Sequence, residues 1–213
     1  MNNVKKNWWN KDKQVPIDNK NFQKIINDLL FLCPSSTRHE NKSESKEKIV
    51  YYLPVSARAK TFRDRKITGD LLRTILSNIK KDFNYNERYC VVDSKVSIDE
   101  KMNEVASRIT LSDPNFEVII MRKRNDMSDT ESLYYYLRNS LAHGSFEYVP
   151  QDGRRDAYYL IECNYKDEIK AQMRLKEKTL LKLARLSNLS SKEIKDMQGR
   201  NKNKKKRNDM DKN

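Results

Sequence analysis

Two short spacings constrain this chain more than anything else in it. Ser97 stands three residues before Glu100, and Ser128 three before Glu131. Each pair is a capping box, in which a serine and a glutamate satisfy the free backbone amides that open a helix. Behind the first box come Ile98, Met102, Val105, Ala106 and Ile109; behind the second come Leu133, Leu137 and Leu141. Apolar residues recurring every three or four positions give a helix one face to bury. The same spacing in Phe22, Ile25, Ile26, Leu29 and Leu30 predicts a helix that Pro34 stops soon after Leu32. Leu71, Leu72, Ile75, Leu76, Ile79 and Phe83 predict another, with Thr68 as its N-cap. A final long helix is expected over about Asp167 to Leu186, with Ile169, Met173, Leu180 and Leu183 on its core side.

Strand signals are fewer. Phe146–Val149 and Tyr158–Ile161 are β-prone runs around Pro150-Gln151-Asp152-Gly153, which reads as a hairpin with a longer loop. Phe116–Met121 is short and β-branched, either a strand or a buried connector. Ile49–Val55 is apolar but broken by Pro54, and the stretch Ser35–Lys48 is polar without period, a loop or a solvated helix. Only 4 Gly and 5 Pro occur in 213 residues, too few for a turn-rich sandwich. The expected fold is therefore mainly α: a bundle of about four to five helices with one small hairpin after the helix that begins at Ser128. Residues 1–18 read as a loose leader with Trp8-Trp9 as a docking point, 19–190 as the domain, and 199–213 as a basic disordered tail.

The formal net charge is +14, which invites a polyanion. Its distribution tempers that reading. Residues 1–20 hold +3 and residues 199–213 hold +5, leaving +6 for everything between. Basic ends are more often solvated tails than nucleic-acid arms, so the charge permits an RNA partner without specifying one. Cys33, Cys90 and Cys163 form no C-x-x-C pair, and with only His39 and His143 no zinc constellation can be drawn, so neither metal nor cofactor is expected. The N-terminus lacks the apolar core of a signal peptide, and no run approaches the ~18–20 apolar residues of a membrane span. A cytoplasmic protein with no membrane partner is the expectation.

One segment stands apart chemically. In Leu137-Arg138-Asn139-Ser140-Leu141-Ala142-His143-Gly144, Asn139 and His143 are four apart and so neighbours on one helix surface. Gly144 is the residue expected where a helix ends left-handed. His143 then sits at the C-terminal end of the helix dipole, where positive charge is stabilised. A guanidinium, an amide and an imidazole at one helix end are the groups needed to hold a phosphodiester and move a proton.

These residues resemble the R-x(4–6)-H motif of HEPN domains, in the form with a polar residue after the Arg and a Gly after the His. The hairpin and the stretch Asp167–Leu181 also resemble the end of a plasmid- and defence-associated branch of that family, so the specific likeness covers about residues 128–186. The resemblance implies an HEPN-like helical bundle, usually dimeric, with two motifs facing each other. It implies a metal-independent endoribonuclease of toxin or antiphage type, working on RNA as a homodimer, with an antitoxin or defence protein as a further partner. Under it Arg138 would hold the scissile phosphate, His143 would act as general acid or base while the 2′-hydroxyl attacks, and Asn139 would orient His143 or touch the phosphate.

Other readings compete. A catalytically silent HEPN module would bind RNA or a partner protein with the same fold, and a basic RNA-binding protein would carry the motif by accident. Tyr134-Tyr135-Tyr136 offers rings that stack on bases beside Arg138, with Tyr134 the first of them, although adjacent aromatics usually divide between core and interface. Lys204-Lys205-Lys206-Arg207 offers salt-sensitive phosphate contacts, or only a solvated end.

Overall fold

Val118–Arg122 is a strand, and it belongs to a five-stranded mixed sheet rather than to a bundle's connector. The computed structural model describes residues 18–33, 61–83, 88–110, 116–125, 127–150, 157–166 and 168–210. The leader, the polar stretch 35–48 and the run 49–55 lie outside these residues. In chain order the strands are β1 (Tyr89–Val92), β2 (Val118–Arg122), β3 (Phe146–Val149), β4 (Tyr158–Tyr165) and β5 (Glu168–Lys176). They lie side by side as β1-β2-β5-β4-β3. The helices are α1 (Lys20–Ile26), α2 (Asp70–Lys80), α3 (Ile98–Thr110), α4 (Asp129–Ala142), α5 (Glu177–Ser187) and α6 (Ser191–Met210). A wider π-helical segment, Asn27–Leu32, continues α1. The fold is α/β, which corrects the expected mainly helical bundle.

The expected helix Asp167–Leu186 accounts for most of that correction. Its first half is β5, paired antiparallel with both β2 and β4, and only its second half is helical, as α5. The spacing of Ile169, Met173, Leu180 and Leu183 fits a helix, and Ala171, Gln172, Met173, Arg174 and Leu175 are all good helix formers. A second pattern runs through the same residues, however. Ala171, Met173 and Leu175 alternate with Gln172, Arg174 and Lys176, and this period of two is what the sheet selects. Ile119, Met173, Ile161 and Phe146 form one row across four strands. The alternation puts that row on the main core. There the sheet meets α1, the π-helical segment, α2, α4, α5 and Ile194 of α6.

On the opposite face, α3 crosses from β1 to the parallel β2 and lays Ile98, Met102 and Val105 over Val118 and Ile120. The capping serine expected there is in place, with the Glu100 amide donating to Ser97 Oγ at 3.3 Å. Thr68 is not the cap of α2. Gly69 is, at φ +48, with no side-chain hydrogen bond to the helix. Beyond Gly199 the chain does not become a disordered tail at once, since the α6 backbone stays helical to Met210. Among the described residues no helix is long and apolar enough to cross a membrane.

Candidate functional site

α4 is the central helix, and its ends are defined from the sequence outward. At the start, the Glu131 amide donates to Ser128 Oγ at 3.3 Å while the Ser128 amide donates to Glu131 Oε2 at 2.9 Å, so the capping box forms reciprocally. At the finish, Gly144 takes φ +65, its amide reaches Leu141 O and the Ser145 amide reaches Ser140 O at 2.8 Å. This is the two-bond closure that a left-handed glycine permits. Leu133, Leu137 and Leu141 are buried as their spacing requires. His143 is the C-cap residue, and it is exposed.

With 3.6 residues per turn, Tyr135, Tyr136, Asn139 and His143 project within an arc of about 100°. That stripe forms one wall of a pocket of about 360 Å³, lined by Tyr135, Tyr136 and Asn139 from α4. The second wall is the end of β2 and the segment after it: Arg122, Lys123, Arg124 and Asn125. The third is the β4–β5 hairpin, with Cys163, Asn164, Tyr165 and Lys170. The β4–β5 pairing jumps from Cys163↔Ala171 to Asn164↔Ile169, which leaves Lys170 as the extra residue of a bulge. A bulge of this kind re-aims a side chain, and here the side chain lines the pocket.

Among the described residues, four cations and no carboxylate line this pocket. Their acidic partners stand outside the wall: Glu168 pairs with both Arg122 and Lys170, and Asp129 lies 3.5 Å from Lys123. Arg124 is tied down twice, its amide donating to Ser132 Oγ and its guanidinium stacking 4.3 Å above the Tyr135 ring centre. The buried Nε of Arg122 has no hydrogen-bond partner. Burial, and after it the Arg122 charge, hold the Lys170 ammonium below the ordinary lysine range. Burial pushes the Tyr136 phenol up to about 12, and it raises the Cys163 thiol against a hydrogen bond from Ser140. Those tyrosine and cysteine side chains are neutral donors near pH 7, not nucleophiles.

The motif residues are not brought to a single point. Arg138 and His143, five apart, project about 140° from one another around α4. Arg138 is half-buried, and its charge acts on Cys33, which lies at the end of the π-helical segment, on a different side of α4 from the pocket. Asn139 is in the pocket wall, and His143 lies one turn beyond it on the same stripe. Tyr134 is not a stacking ring for a base: it is 1% exposed, packs on Phe62 and donates from its hydroxyl to Leu183 O at 2.9 Å. Of the three adjacent tyrosines, Tyr135 and Tyr136 line the pocket. Lys204, Lys205, Lys206 and Arg207 are carried on the last turns of α6, and their side chains are outside the described set.

Sequence reasoning did not single out Arg122, Lys123, Arg124 or Lys170. A signal was present for the first three: a basic triplet closing a β-branched run, four residues ahead of a capping box. Lys170 had none, because its placement depends on a bulge that only pairing creates. Among the described residues no group of three His, Cys, Asp or Glu side chains converges as a metal site. The chain matches no family model, no curated protein and no solved structure.

Proposed function

We propose that the chain is a metal-independent endoribonuclease of the HEPN type, acting in the cytoplasm at the C-terminal end of α4. The observation that carries this reading is the stripe itself. An exposed imidazole at the C-cap stands one turn from an asparagine that walls a pocket lined by four cations. RNA supplies its own nucleophile in the 2′-hydroxyl, so the protein needs to position a phosphodiester, balance its developing charge and transfer protons. His143 is the acid–base group, for which a rate contribution of ~10²–10⁴-fold is the normal scale. Asn139 positions it or the phosphate, and Arg138 supplies the guanidinium. Since Arg138 and His143 diverge around their own helix, the composite site of the proposal draws Arg138 from a second copy of the chain.

The test is cleavage of labelled single-stranded RNA and tRNA in EDTA by the wild type, His143→Ala and Arg138→Ala. Cutting without metal that both substitutions reduce by at least a hundredfold supports the assignment. Equal cutting by all three places the activity elsewhere, and no cutting by a folded wild type leaves a module that only binds RNA or a partner protein.

A further inference from the structure

The last two helices hold half of the chain's excess charge. Residues 177–210, from the start of α5 to the end of α6, carry eleven basic and four acidic side chains, a net of +7 against +14 for the whole chain. α6 divides at Gly199. Its first half is fixed to the body. The Ser190 amide donates to Glu193 Oε2 at 2.8 Å and the Glu193 amide to Ser190 Oγ at 3.3 Å, a capping box that starts the helix. Ile194 is fully buried in the main core, and the Gln198 side chain donates to Thr74 Oγ1 at 2.6 Å and to Asp70 O at 3.3 Å on α2.

From Gly199 the backbone stays helical to Met210, about 17 Å further along the axis. No apolar residue lies between the two. A surface helix is ordinarily held by an apolar stripe, and this half has none to bury. Arg200, Lys202, Lys204, Lys205, Lys206 and Arg207 stand against the single acid Asp209. At about 100° per residue those six positions are spread around the whole axis. Arg200 and Lys204, Lys202 and Lys206, Lys202 and Lys205, and Lys204 and Arg207 are like charges at the spacings where helix neighbours repel.

Such a rod calls for outside countercharge, and its composition says of which kind. A helix lying on a membrane needs an apolar face beneath its cations. One seated in a protein groove needs apolar anchors every three or four residues. A phosphate backbone asks for neither. Cations on every side suffice, and Asn201, Asn203 and Asn208 add amides of the sort that contact phosphate and sugar.

We propose that the second half of α6 is an RNA-anchoring arm, a helical rod fixed to the body through Ile194 and Gln198 that holds single-stranded RNA by its phosphates, whatever its sequence. The choice of RNA as the polyanion rests on the ribonuclease reading. The test reads binding, not cleavage.

The probe is a short labelled single strand of 2′-O-methyl RNA, which 2′-hydroxyl attack cannot cut, titrated by fluorescence anisotropy with the full chain across a salt series. Each phosphate contact adds ~0.7 to the slope of log affinity against log salt for a single strand. Lys204→Gln, Lys205→Gln, Lys206→Gln and Arg207→Gln combined should therefore flatten that slope by about 3 and weaken binding at low salt at least tenfold. Asn203→Pro keeps every charge but breaks the helix inside the arm, and should weaken binding roughly threefold or more. Arg63→Gln with Lys95→Gln, exposed on the turns before α2 and α3, should flatten the slope by less than about 1. A wild-type slope in the fourfold variant overturns the proposal. So does an Asn203→Pro chain that binds as the wild type does, because the segment is then a plain basic tail. Poly-glutamate displacing the probe as readily as unlabelled RNA of equal charge also overturns it, in favour of an acidic protein partner. Binding that depends on the arm, in a wild type that cuts no RNA, keeps the arm and removes the nuclease. Cleavage of unmodified RNA by a chain whose binding ignores the four substitutions does the reverse.

Discussion

Cys33 shows how one residue reports the quality of the core around it. The side chain is fully buried, and burial pushes its thiol from an ordinary value near 9 up to about 12, against the opposing pull of a Ser187 hydrogen bond and the charges of Arg138 and Arg65. A raised pKa means that the folded state holds the proton more tightly than the unfolded chain does. The resulting stability is fully present below pH 9 and is lost as the pH rises through 12. By about pH 11 the loss should be of the order of 2 kcal/mol, since each unit past the unfolded value adds up to ~1.4 kcal/mol. Thermal melts from pH 8 to 11 should therefore fall more steeply for the wild type than for Cys33→Ala. Comparing slopes cancels the fixed cost of the missing sulfur, and parallel slopes would show that this thiol titrates normally. At the same scale, Tyr134 explains why adjacent tyrosines cannot be assigned from sequence. Its neighbour Tyr135 differs by about 100° of helix rotation, enough to separate core from pocket.

At the scale of elements, α4 was the most legible part of the chain because its termination is local chemistry. The Ser128–Glu131 box and the Gly144 closure need only residues within five positions of one another. Ser128→Ala should cost about 1 kcal/mol, the usual value of an N-cap, and lower the melting temperature by ~2–4 °C for a chain of this size. A melt unchanged from the wild type would mean that tertiary packing alone holds the first turn. α3 was legible for the same reason. α2 was legible in its stripe but not its cap, because Gly69 adopts φ +48 and displaces Thr68 from the capping position. β5 was misread because both periods are written into it, and the choice between them belongs to its neighbours. β1, only four residues long, carries too little pattern to be recognised before its pairing with β2 is known.

At the scale of the whole molecule, the sheet decides what α4 can do. It places the basic segment 122–125 and the β4–β5 hairpin against one side of α4, and leaves Arg138 pointing to another. If the ribonuclease site is composite, His143→Ala and Arg138→Ala chains should complement each other. A mixed dimer of the two retains one intact site, so mixing the inactive variants after denaturation and refolding should restore about a quarter of wild-type cleavage by statistical pairing. No recovery from well-folded mixed dimers would mean that the two residues act within one chain or not together.

The candidate site divides along the same line. The stripe from Tyr135 to His143 follows from helical periodicity and was there to be read. The cations opposite it come from the end of β2, the two residues after it and the bulge of β5, two strands that pair across some fifty residues of sequence. By itself, then, the sequence determined where α3 and α4 begin, where α4 ends, which leucines α4 buries, and that an imidazole is displayed at its C-cap. Those outcomes depend on hydrogen bonds and spacings inside a few turns of chain. Only the tertiary structure decided that Glu168–Lys176 is a strand, that Lys170 bulges into a pocket, and that the basic segment 122–125 stands opposite the α4 stripe. Strand pairing is a contest between long-range partners, and helix-forming side chains lose that contest when an alternating face can be buried on both sides.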